Sequence, residues 1–472
     1  MGRTSLVTGF VLVLTVALGG SAAAATGEAG PRLTNPHPCP GKPGFTCSTL
    51  TVPLDHTGRV PGTLDLQVAA ADNVTAPKGV LLYLVGGPGQ GGVVWLDRLA
   101  NRRLPEVAKD YRFVTLDQRG TGEFGALRCP GLQTQMGSSN IATPTREAVA
   151  ECANLLGDRA PLYSTDQTVA DLDLLRQALG VPKMVVDGVS YGAFTAARYS
   201  IAHPRHVRKL ILDSVLPHHA TSADSLYLAG LRANARVLRD ACAAPPACGY
   251  DPAEDLAQVV RQRSVADGVR IFDAMVTYEF VDPTYRNPSP GDVVPPGGGD
   301  IIGAVHAARG GDPARLNALL AAMARANEVD PIYYSSGLQA GTLCADLRFP
   351  WGSASTPVAV RQARLDHTEA RLPERATWPY TSQVAVTQGF IQLCLPWPTE
   401  RATSNPAGHL PDVPTLLLNG DRDLSPPLEW AEREAGVAPR GELVAVKGES
   451  HSIQNRERGH AGRDAVIKFL DG

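Results

Sequence analysis

The segment 188–192, Gly-Val-Ser-Tyr-Gly, places a serine where it can act as a nucleophile. An apolar run at 184–186 precedes it, and a helix-like stretch at 193–202 follows it. A Gly-x-Ser-x-Gly motif between a strand and a helix is typical of a strained turn that exposes the serine hydroxyl. Glycines are needed on either side because such a turn brings the backbone against its neighbours. We therefore predict that Ser190 is a nucleophile; the alternative is a glycine-rich structural turn.

A base and an acid that could activate this serine lie near the C-terminus. A serine hydroxyl is a weak nucleophile without a base, and the base needs an acid to orient it. Asp421 and Asp423 follow an apolar run at 415–418, and His451 follows another at 443–446. The chain order Ser, acid, His is that of a nucleophile-elbow triad. The alternatives are that the aspartates cap a turn beside Gly420 and that His451 is a surface histidine.

The glycine-rich segment 86–92 follows the apolar run 80–85 and suits an oxyanion hole. In nucleophile-elbow enzymes, one donor is the amide after the nucleophile and the other comes from an earlier loop. We therefore predict that the amides of Tyr191 and Gly87 are the donors. A phosphate cradle is the rival interpretation. It fails because no Gly-Lys-Ser/Thr follows and no acid suits a dinucleotide ribose.

The elements that must position these residues alternate between strand-like and helix-like segments. The runs 80–85, 112–116, 184–186, 210–212 and 415–418 are short and continuously apolar, which is typical of strands buried on both faces. Between two of them, the pattern at 168–179 places four apolar residues on one helical face. The alternation predicts a mostly parallel sheet flanked by helices.

One stretch, 218–408, breaks this alternation. It contains helix-like segments at 229–241 and 315–326, a Pro/Gly-rich run at 287–299, and many aromatic residues. It separates Ser190 from Asp423 by far more chain than one helix and one strand require. We predict that it is a large, mainly helical cap over the site, inserted before the acid-bearing strand between core segments 26–217 and 409–472. Such a cap limits the size of a substrate.

The first 25 residues are typical of a secretory signal peptide. Arg3 precedes an apolar run at 6–18, and small residues at 21–25 satisfy the Ala-x-Ala cleavage rule. The alternative is a membrane anchor, but thirteen apolar residues are fewer than the roughly 17–25 that a spanning helix needs. We predict cleavage near Ala25, secretion, and no membrane span in the mature chain.

Cysteine usage agrees with export. The eight cysteines allow 105 pairings, and the simplest joins those nearest in sequence, namely 39 with 47, 129 with 152, 242 with 248, and 344 with 394. A zinc site is disfavoured because no Cys-x-x-Cys pair occurs and no histidines cluster beside the cysteines. The pattern therefore predicts disulfides and no metal.

Composition excludes several other classes of protein. The 472 residues are 43% hydrophobic with mixed charges, which excludes a disordered chain, a collagen-like repeat and a multi-span membrane protein. The 44 Lys and Arg nearly balance the 47 Asp and Glu, so no basic surface for nucleic acid is predicted.

Taken together, the motifs resemble those of the α/β-hydrolases of the prolyl aminopeptidase group. They are, in chain order, Gly-Gly-Pro-Gly at 86–89, Asp-Gln-Arg-Gly-Thr-Gly at 117–122, the serine motif at 188–192, Gly-Asp-Arg-Asp at 420–423, and His451. The sequence is most similar to the secreted tripeptidyl aminopeptidase branch, with Cys-Ala-Asp at 344–346 and a hydrolase-like segment at 416–451. The resemblance extends from about residue 47 to 470, implies the α/β-hydrolase fold, and assigns the triad acid to Asp423.

The chain departs from this pattern at two positions. Val85 stands where prolyl aminopeptidases usually have a histidine, and Ser452 stands where the tripeptidyl branch often has a cysteine. Both departures leave the triad intact and concern the choice of substrate.

The resemblance implies a secreted serine hydrolase that releases residues or short peptides from peptide N-termini through an acyl-enzyme on Ser190. It needs no cofactor. The group recognises the substrate's free amine with cap acids, for which Asp346 and Glu279 are the leading candidates, followed by Asp282 and Asp330; solvated surface carboxylates are the alternative. An esterase or lipase on the same scaffold is the runner-up function, and a non-catalytic binding protein is a third. The sequence predicts no oligomeric state.

Overall fold

The computed structural model describes residues 1–2, 30–243, 247–281 and 301–472. It separates into two units, 1–30 and 31–472, and the strands and helices given below lie in the second. Most of the predicted signal peptide, Asp282 and the Pro/Gly-rich run 287–299 lie outside the described residues, as does the side chain of Glu279.

The described part of the chain contains nine strands. They are β1 (Leu33–Pro38), β2 (Phe45–Pro53), β3 (Thr63–Ala71), β4 (Val80–Leu84), β5 (Arg112–Leu116), β6 (Met184–Val189), β7 (Val207–Asp213), β8 (Thr415–Gly420) and β9 (Gly441–Val446). All nine form one sheet in the order β1-β2-β3-β5-β4-β6-β7-β8-β9. From β5 to β9 in this order, each strand pairs parallel with the next, which gives five parallel pairs. From β1 to β5 in this order, each strand pairs antiparallel with the next, which gives three antiparallel pairs. The prediction of a mostly parallel sheet is confirmed, and β1–β3 are an addition that the motifs did not predict.

Helices flank this sheet on both faces. The described α-helices are α1 (Pro105–Asp110), α2 (Gly122–Gly125), α3 (Pro130–Met136), α4 (Arg146–Leu156), α5 (Thr165–Ala178), α6 (Tyr191–Ala202), α7 (Ser222–Ser225), α8 (Leu228–Ala243), α9 (Pro252–Gln262), α10 (Val265–Val281), α11 (Ile301–Arg309), α12 (Ala314–Ala326), α13 (Ser336–Asp346), α14 (Val358–Glu369), α15 (Ser382–Thr387), α16 (Gly389–Cys394), α17 (Leu428–Ala435), α18 (Ile453–Arg456) and α19 (Ala461–Asp471). Short 3₁₀ helices cover Gly157–Tyr163, Pro204–His206 and Glu374–Ala376, and a π-helix covers Arg98–Arg103.

The continuous apolar runs form strands because both faces of the sheet are covered. Every residue of β4, β6 and β8 is buried. Within β4, Leu82 packs in a cluster with Leu172 of α5, whereas Leu81 packs on the opposite face with Leu470 of α19. Successive side chains of a strand point to opposite faces, so both faces of β4 must be apolar.

A helical insertion, α7–α16, lies between β7 and β8, as predicted. Its core contains Phe272, Trp351 and Tyr380. The same hydrophobic cluster includes Leu132 of α3 and Val149 of α4, which the sequence had grouped with the first core segment. The insertion is therefore seated on a short helical platform between β5 and β6.

Four disulfides stabilise these elements. They join Cys39 to Cys47, Cys129 to Cys152, Cys242 to Cys248, and Cys344 to Cys394, which are the four predicted couples, and no cysteine is free. The last of these links α13 to α16 within the insertion.

None of the described helices combines the length and the apolar character that a membrane span requires.

Candidate active site

The predicted nucleophile lies on the tight turn between β6 and α6. Ser190 has φ 60° and ψ −124°, and its amide donates to the backbone oxygen of Asp213 at 2.8 Å. A residue with a side chain in this region costs about 1–3 kcal/mol, so the surrounding contacts must hold it there. A Cβ on Gly188 would lie 2.1 Å from the Gly192 carbonyl oxygen, and one on Gly192 would lie 2.3 Å from that of Leu84. Only glycine therefore fits at the two flanking positions.

Ser190 opens onto a cavity of about 230 Å³ between the sheet and the insertion. The wall contributed by the sheet loops includes Gly86, Gly87, Ser190 and His451. The opposite wall belongs to the insertion and includes Asp273, Asn327, Glu328 and Tyr334. The insertion also contacts the glycine loop, because the Ser335 amide donates to the Gly89 oxygen at 2.9 Å.

The structure pairs His451 with the second of the two candidate aspartates. His451 Nδ1 lies 2.9 Å from Asp423 Oδ2, and both side chains are at most 5% exposed. The other oxygen, Asp423 Oδ1, accepts the Ser425 amide at 2.9 Å. Asp421 instead accepts the Gly448 amide at 2.7 Å. This geometry suits an acid that orients the imidazole, a role that only Asp423 can fill here.

The glycine loop passes directly against the nucleophile. A Cβ on Gly86 would lie 2.7 Å from Ser190 Cβ, and Gly87 has φ 114°, a conformation that favours glycine. On the other side of Ser190, Tyr191 is the first residue of α6, so its amide has no acceptor within that helix. The amides of Gly87 and Tyr191 therefore remain the candidate oxyanion donors.

The motif at 117–122 contacts the end of the glycine loop through its first residue, Asp117. Asp117 Oδ1 accepts the Val93 amide at 2.9 Å, just beyond the glycines. Burial raises the pKa of Asp117 to about 6, against the lowering effect of its backbone hydrogen bonds. The guanidinium of Arg119, in turn, makes two 2.7 Å hydrogen bonds to Asp171 in the interior. Asp117 holds the end of the loop, and neither Asp117 nor Arg119 lines the cavity.

Two protein-family models match the parts of the sequence that form this site. The alpha/beta hydrolase fold family matches residues 79–250, which contain the glycine loop and the nucleophile turn. The chain has the α/β-hydrolase fold. The TAP-like protein family matches residues 379–472, which contain Asp423 and His451.

Curated proteins that are similar to this chain include peptidases. A tripeptidyl aminopeptidase from Streptomyces lividans is 32% identical over 188 residues, which are 36% of this chain and 35% of that protein. The serine protease Hip1 from Mycobacterium tuberculosis is 28% identical over 193 residues, or 38% of this chain and 37% of that protein. The chain thus spans about a third of the length of the curated relatives it matches. Among solved structures, an esterase from Exiguobacterium antarcticum is 14% identical with a TM-score of 0.37, over 86% of this chain and 96% of that one.

Both departures from the family pattern lie on the cavity wall. Val85 precedes the glycine loop and Ser452 follows His451, and both residues line the cavity. The Ser452 amide donates to Ser214 Oγ at 2.7 Å, which helps to fix the histidine loop. A change at either position therefore alters the shape of the cavity.

The cap acids named from the sequence do not lie on this cavity where the structure describes them. Asp346 is 1% exposed and accepts the Tyr191 hydroxyl at 2.6 Å, behind the cavity wall. Asp330 is exposed and accepts the Ile332 amide at 2.9 Å. A role for Asp346 in contacting a substrate amine does not fit its position, because a buried side chain bonded to tyrosine cannot reach a bound peptide.

The described cap carboxylates that line the cavity are Asp273 and Glu328, which the sequence analysis missed. Burial raises the pKa of Asp273 to about 6, although the Ser139 hydroxyl at 2.5 Å and the Asn327 amide at 3.4 Å oppose this shift. A sequence signal was present, because Asp273 interrupts the apolar pattern of α10 beside Phe272. An acid on the buried side of an apolar helix usually has a partner or a function.

Two further carboxylates lie beneath the site in the interior of the sheet. Asp213 Oδ1 and Oδ2 accept the amides of Ile453 and Gln454 at 3.0 and 2.8 Å. Because its backbone oxygen also holds the Ser190 amide, Asp213 connects the segments that carry Ser190 and His451. Asp187, three residues before the nucleophile, accepts the Gln454 side chain at 2.8 Å.

A pH-dependent stability is expected from Asp187. Burial raises its pKa to about 8, above the ordinary value of 3.8. Between these two pH values the folded chain keeps a proton that the unfolded chain releases, so this group makes the free energy of unfolding fall as pH rises. Asp187→Asn cannot titrate, so its stability relative to wild type should increase from pH 4 to pH 8, by at most about 1.4 kcal/mol per pH unit.

Urea unfolding of both proteins across this pH range measures the difference. Other titrating groups largely cancel between the two proteins, because both contain them. A stability difference that stays constant from pH 4 to pH 8 would contradict a protonated Asp187.

Proposed function

We propose that this protein is a serine peptidase that releases residues or short peptides from the N-terminus of peptide substrates. The observation that carries this proposal is the composition of the cavity. Its sheet wall holds Ser190 and the Asp423-bonded His451, and its cap wall holds the carboxylate of Asp273. A nucleophile and an anionic group that line the same cavity suit a substrate with a reactive carbonyl and a nearby cation.

The proposed reaction passes through an acyl-enzyme. His451 takes the proton of the Ser190 hydroxyl while Ser190 Oγ attacks the scissile carbonyl carbon, and Asp423 stabilises the imidazolium that forms. The amides of Gly87 and Tyr191 stabilise the oxyanion. His451 then donates its proton to the leaving amine. In the second half, His451 deprotonates a water molecule that attacks the ester carbonyl, and it then returns this proton to Ser190 Oγ as the carboxylic acid product leaves.

Asp273 is the proposed partner of the substrate's α-ammonium group. With a pKa of about 6, its carboxyl is largely ionised at neutral pH, and an adjacent cation would favour the charged form further. The exposed Glu328 lies on the same wall and adds negative charge. Together they favour a free N-terminus over a blocked one.

Acetylation of the substrate amine tests this assignment. The expected result is that kcat/KM on a chromogenic tripeptide falls about 10²–10³-fold on N-acetylation, since removing one partner of a buried ion pair costs about 3–5 kcal/mol. Asp273→Asn should lose most of this discrimination. Asp330→Asn, a change in an exposed cap acid off the cavity, should retain it.

Equal kcat/KM values for the free and acetylated peptides would contradict the aminopeptidase proposal. Hydrolysis of acyl esters in that case would favour an esterase on the same scaffold, because the triad does not distinguish amides from esters.

We also propose that the protein is exported. The four disulfides support this, because disulfides persist in oxidising compartments outside the cytosol. The proposed signal peptide is 1–25, and 218–408 is the proposed cap. N-terminal sequencing of the secreted protein should begin near Thr26, and an intact Met1 in the medium would contradict cleavage.

A further inference from the structure

We propose that Asp346 is a positioning residue that aligns the oxyanion hole by anchoring the side chain of Tyr191. The residue belongs to the Cys-Ala-Asp motif at 344–346, which the reaction above does not use. The inference rests on one part of the proposed function, namely that the Tyr191 amide is a hydrogen-bond donor to the oxyanion. It adds a direct connection between the insertion and the reacting centre.

Three elements meet at one buried hydrogen-bonded group, which we call the Tyr191 anchor and which consists of Tyr191, Asp346 and Thr165. The Tyr191 hydroxyl donates to Asp346 Oδ2 at 2.6 Å and lies 3.1 Å from Thr165 Oγ1. The Thr165 amide donates to the same Asp346 oxygen at 3.2 Å. Tyr191 and Thr165 begin α6 and α5, and Asp346 ends α13. The anchor therefore joins the insertion to the helix that starts at the nucleophile.

The hydrogen bond between Tyr191 and Asp346 has a defined direction. Burial raises the pKa of the Tyr191 phenol well above 10, and the negative charge of Asp346 raises it further, so the phenol keeps its proton. The pKa of Asp346 is also raised, because burial outweighs the lowering effects of its hydrogen bonds and of the nearby Arg198 guanidinium. The Tyr191 hydroxyl thus donates its proton to the Asp346 oxygen.

Asp346 itself is held firmly. The Cys344–Cys394 disulfide ties its helix to α16. The backbone oxygen of Asp346 accepts the Arg348 guanidinium at 3.0 Å. Because Asp346 is held in place, its hydrogen bond to the Tyr191 hydroxyl can fix the position of the Tyr191 side chain.

The position of the Tyr191 side chain matters because the preceding residue is strained. Ser190 has φ 60°, so the peptide between Ser190 and Tyr191 would relax toward a commoner conformation if its neighbours released it. That peptide carries the N–H that faces the oxyanion. Because the oxyanion forms only in the transition state, a tilted amide lowers kcat and leaves KM nearly unchanged.

Four variants test the anchor. Asp346→Leu keeps a similar shape but removes the acceptor, and Tyr191→Phe removes the donor. Each should lower kcat at least tenfold with KM changed less than twofold, and the double variant should be no slower than Asp346→Leu, because both changes break one interaction. Asp346→Asn retains an acceptor oxygen and should recover most of the activity.

A matched control separates this effect from general docking of the insertion. Thr342→Val removes another buried hydrogen bond between α13 and the core, one turn away from Asp346. It should keep kcat within threefold of wild type. A loss of kcat in Thr342→Val equal to that in Asp346→Leu would overturn the proposal, as would additive effects of Asp346→Leu and Tyr191→Phe.

Two further readouts keep this test independent of the aminopeptidase assignment. Each variant is assayed on p-nitrophenyl acetate as well as on the tripeptide, and amide hydrogen exchange is followed in the segment 188–195. Faster exchange there in Asp346→Leu, with slower turnover of either substrate, supports the anchor. If every variant hydrolysed the ester but not the tripeptide, the result would contradict the peptidase proposal and leave the anchor proposal unaffected. Unchanged exchange in Asp346→Leu would overturn the anchor.

Discussion

Replacing Ser190 with alanine is expected to lower kcat by about six orders of magnitude, the loss seen when a serine peptidase loses its nucleophile. The substitution removes a single oxygen. Alanine also has a Cβ, so the positive φ at this position costs both residues a similar amount. The fold should therefore persist, with an unchanged thermal midpoint and no covalent labelling by a fluorophosphonate probe.

Ser200→Ala is the matched control for this change. Ser200 lies on the same helix, α6, is fully buried, and donates its hydroxyl to the Ala197 oxygen at 2.7 Å. It should retain both turnover and probe labelling. Turnover by Ser190→Ala above the level of contaminating enzymes would refute the serine mechanism.

Asp423→Asn is expected to lower kcat by about four orders of magnitude. The Ser425 amide donates to Asp423 Oδ1, so an asparagine would keep its carbonyl oxygen on that side. Its NH₂ group would then face His451 Nδ1, which lies 2.9 Å from the present Oδ2. The imidazole would have to accept there and carry its proton on Nε2, and this tautomer cannot take the proton of Ser190.

Asp421→Asn changes the same loop but should not change the tautomer of His451. Its side chain accepts the Gly448 amide at 2.7 Å, and an asparagine oxygen can still accept that bond. We expect less than a tenfold loss of kcat. If Asp421→Asn were the slower enzyme, the acid would be assigned to Asp421, and the observed pairing with His451 would not represent the working state.

The proposed triad and the proposed substrate-binding wall belong to different parts of the fold. Ser190, Asp423 and His451 come from loops at one edge of the sheet, whereas Asp273 and Asn327 come from the insertion. Variation in the insertion can therefore change the substrate without disturbing the acid, base and nucleophile. For this reason we place specificity in the cap wall and not in the triad.

Much of the architecture could be predicted from the sequence because its signals are local. The apolar run 184–186, followed by a glycine on each side of Ser190, defines a strand, a turn and a helix within about twenty residues. The same holds for Asp423 and His451, which each follow a short apolar run, and for the disulfides, whose partners are mostly close in sequence. The strands β1–β3 were missed because their alternating and polar positions carry a weaker signal.

The sequence by itself determined the mostly parallel sheet, the nucleophile turn and the order of serine, acid and histidine, because the residue patterns of short segments are enough to predict each of them. Only the tertiary structure decided which cap carboxylate lines the cavity with Ser190. Helical periodicity assigns Asp273 and Asp346 to faces of their helices, but it does not say which element covers each face. The packing of α13 against α5 and α6 buries Asp346 on Tyr191, whereas Asp273 lies on the cavity wall. The contacts of Asp346 with Tyr191 and Thr165 join residues more than 150 positions apart, and no local pattern encodes them.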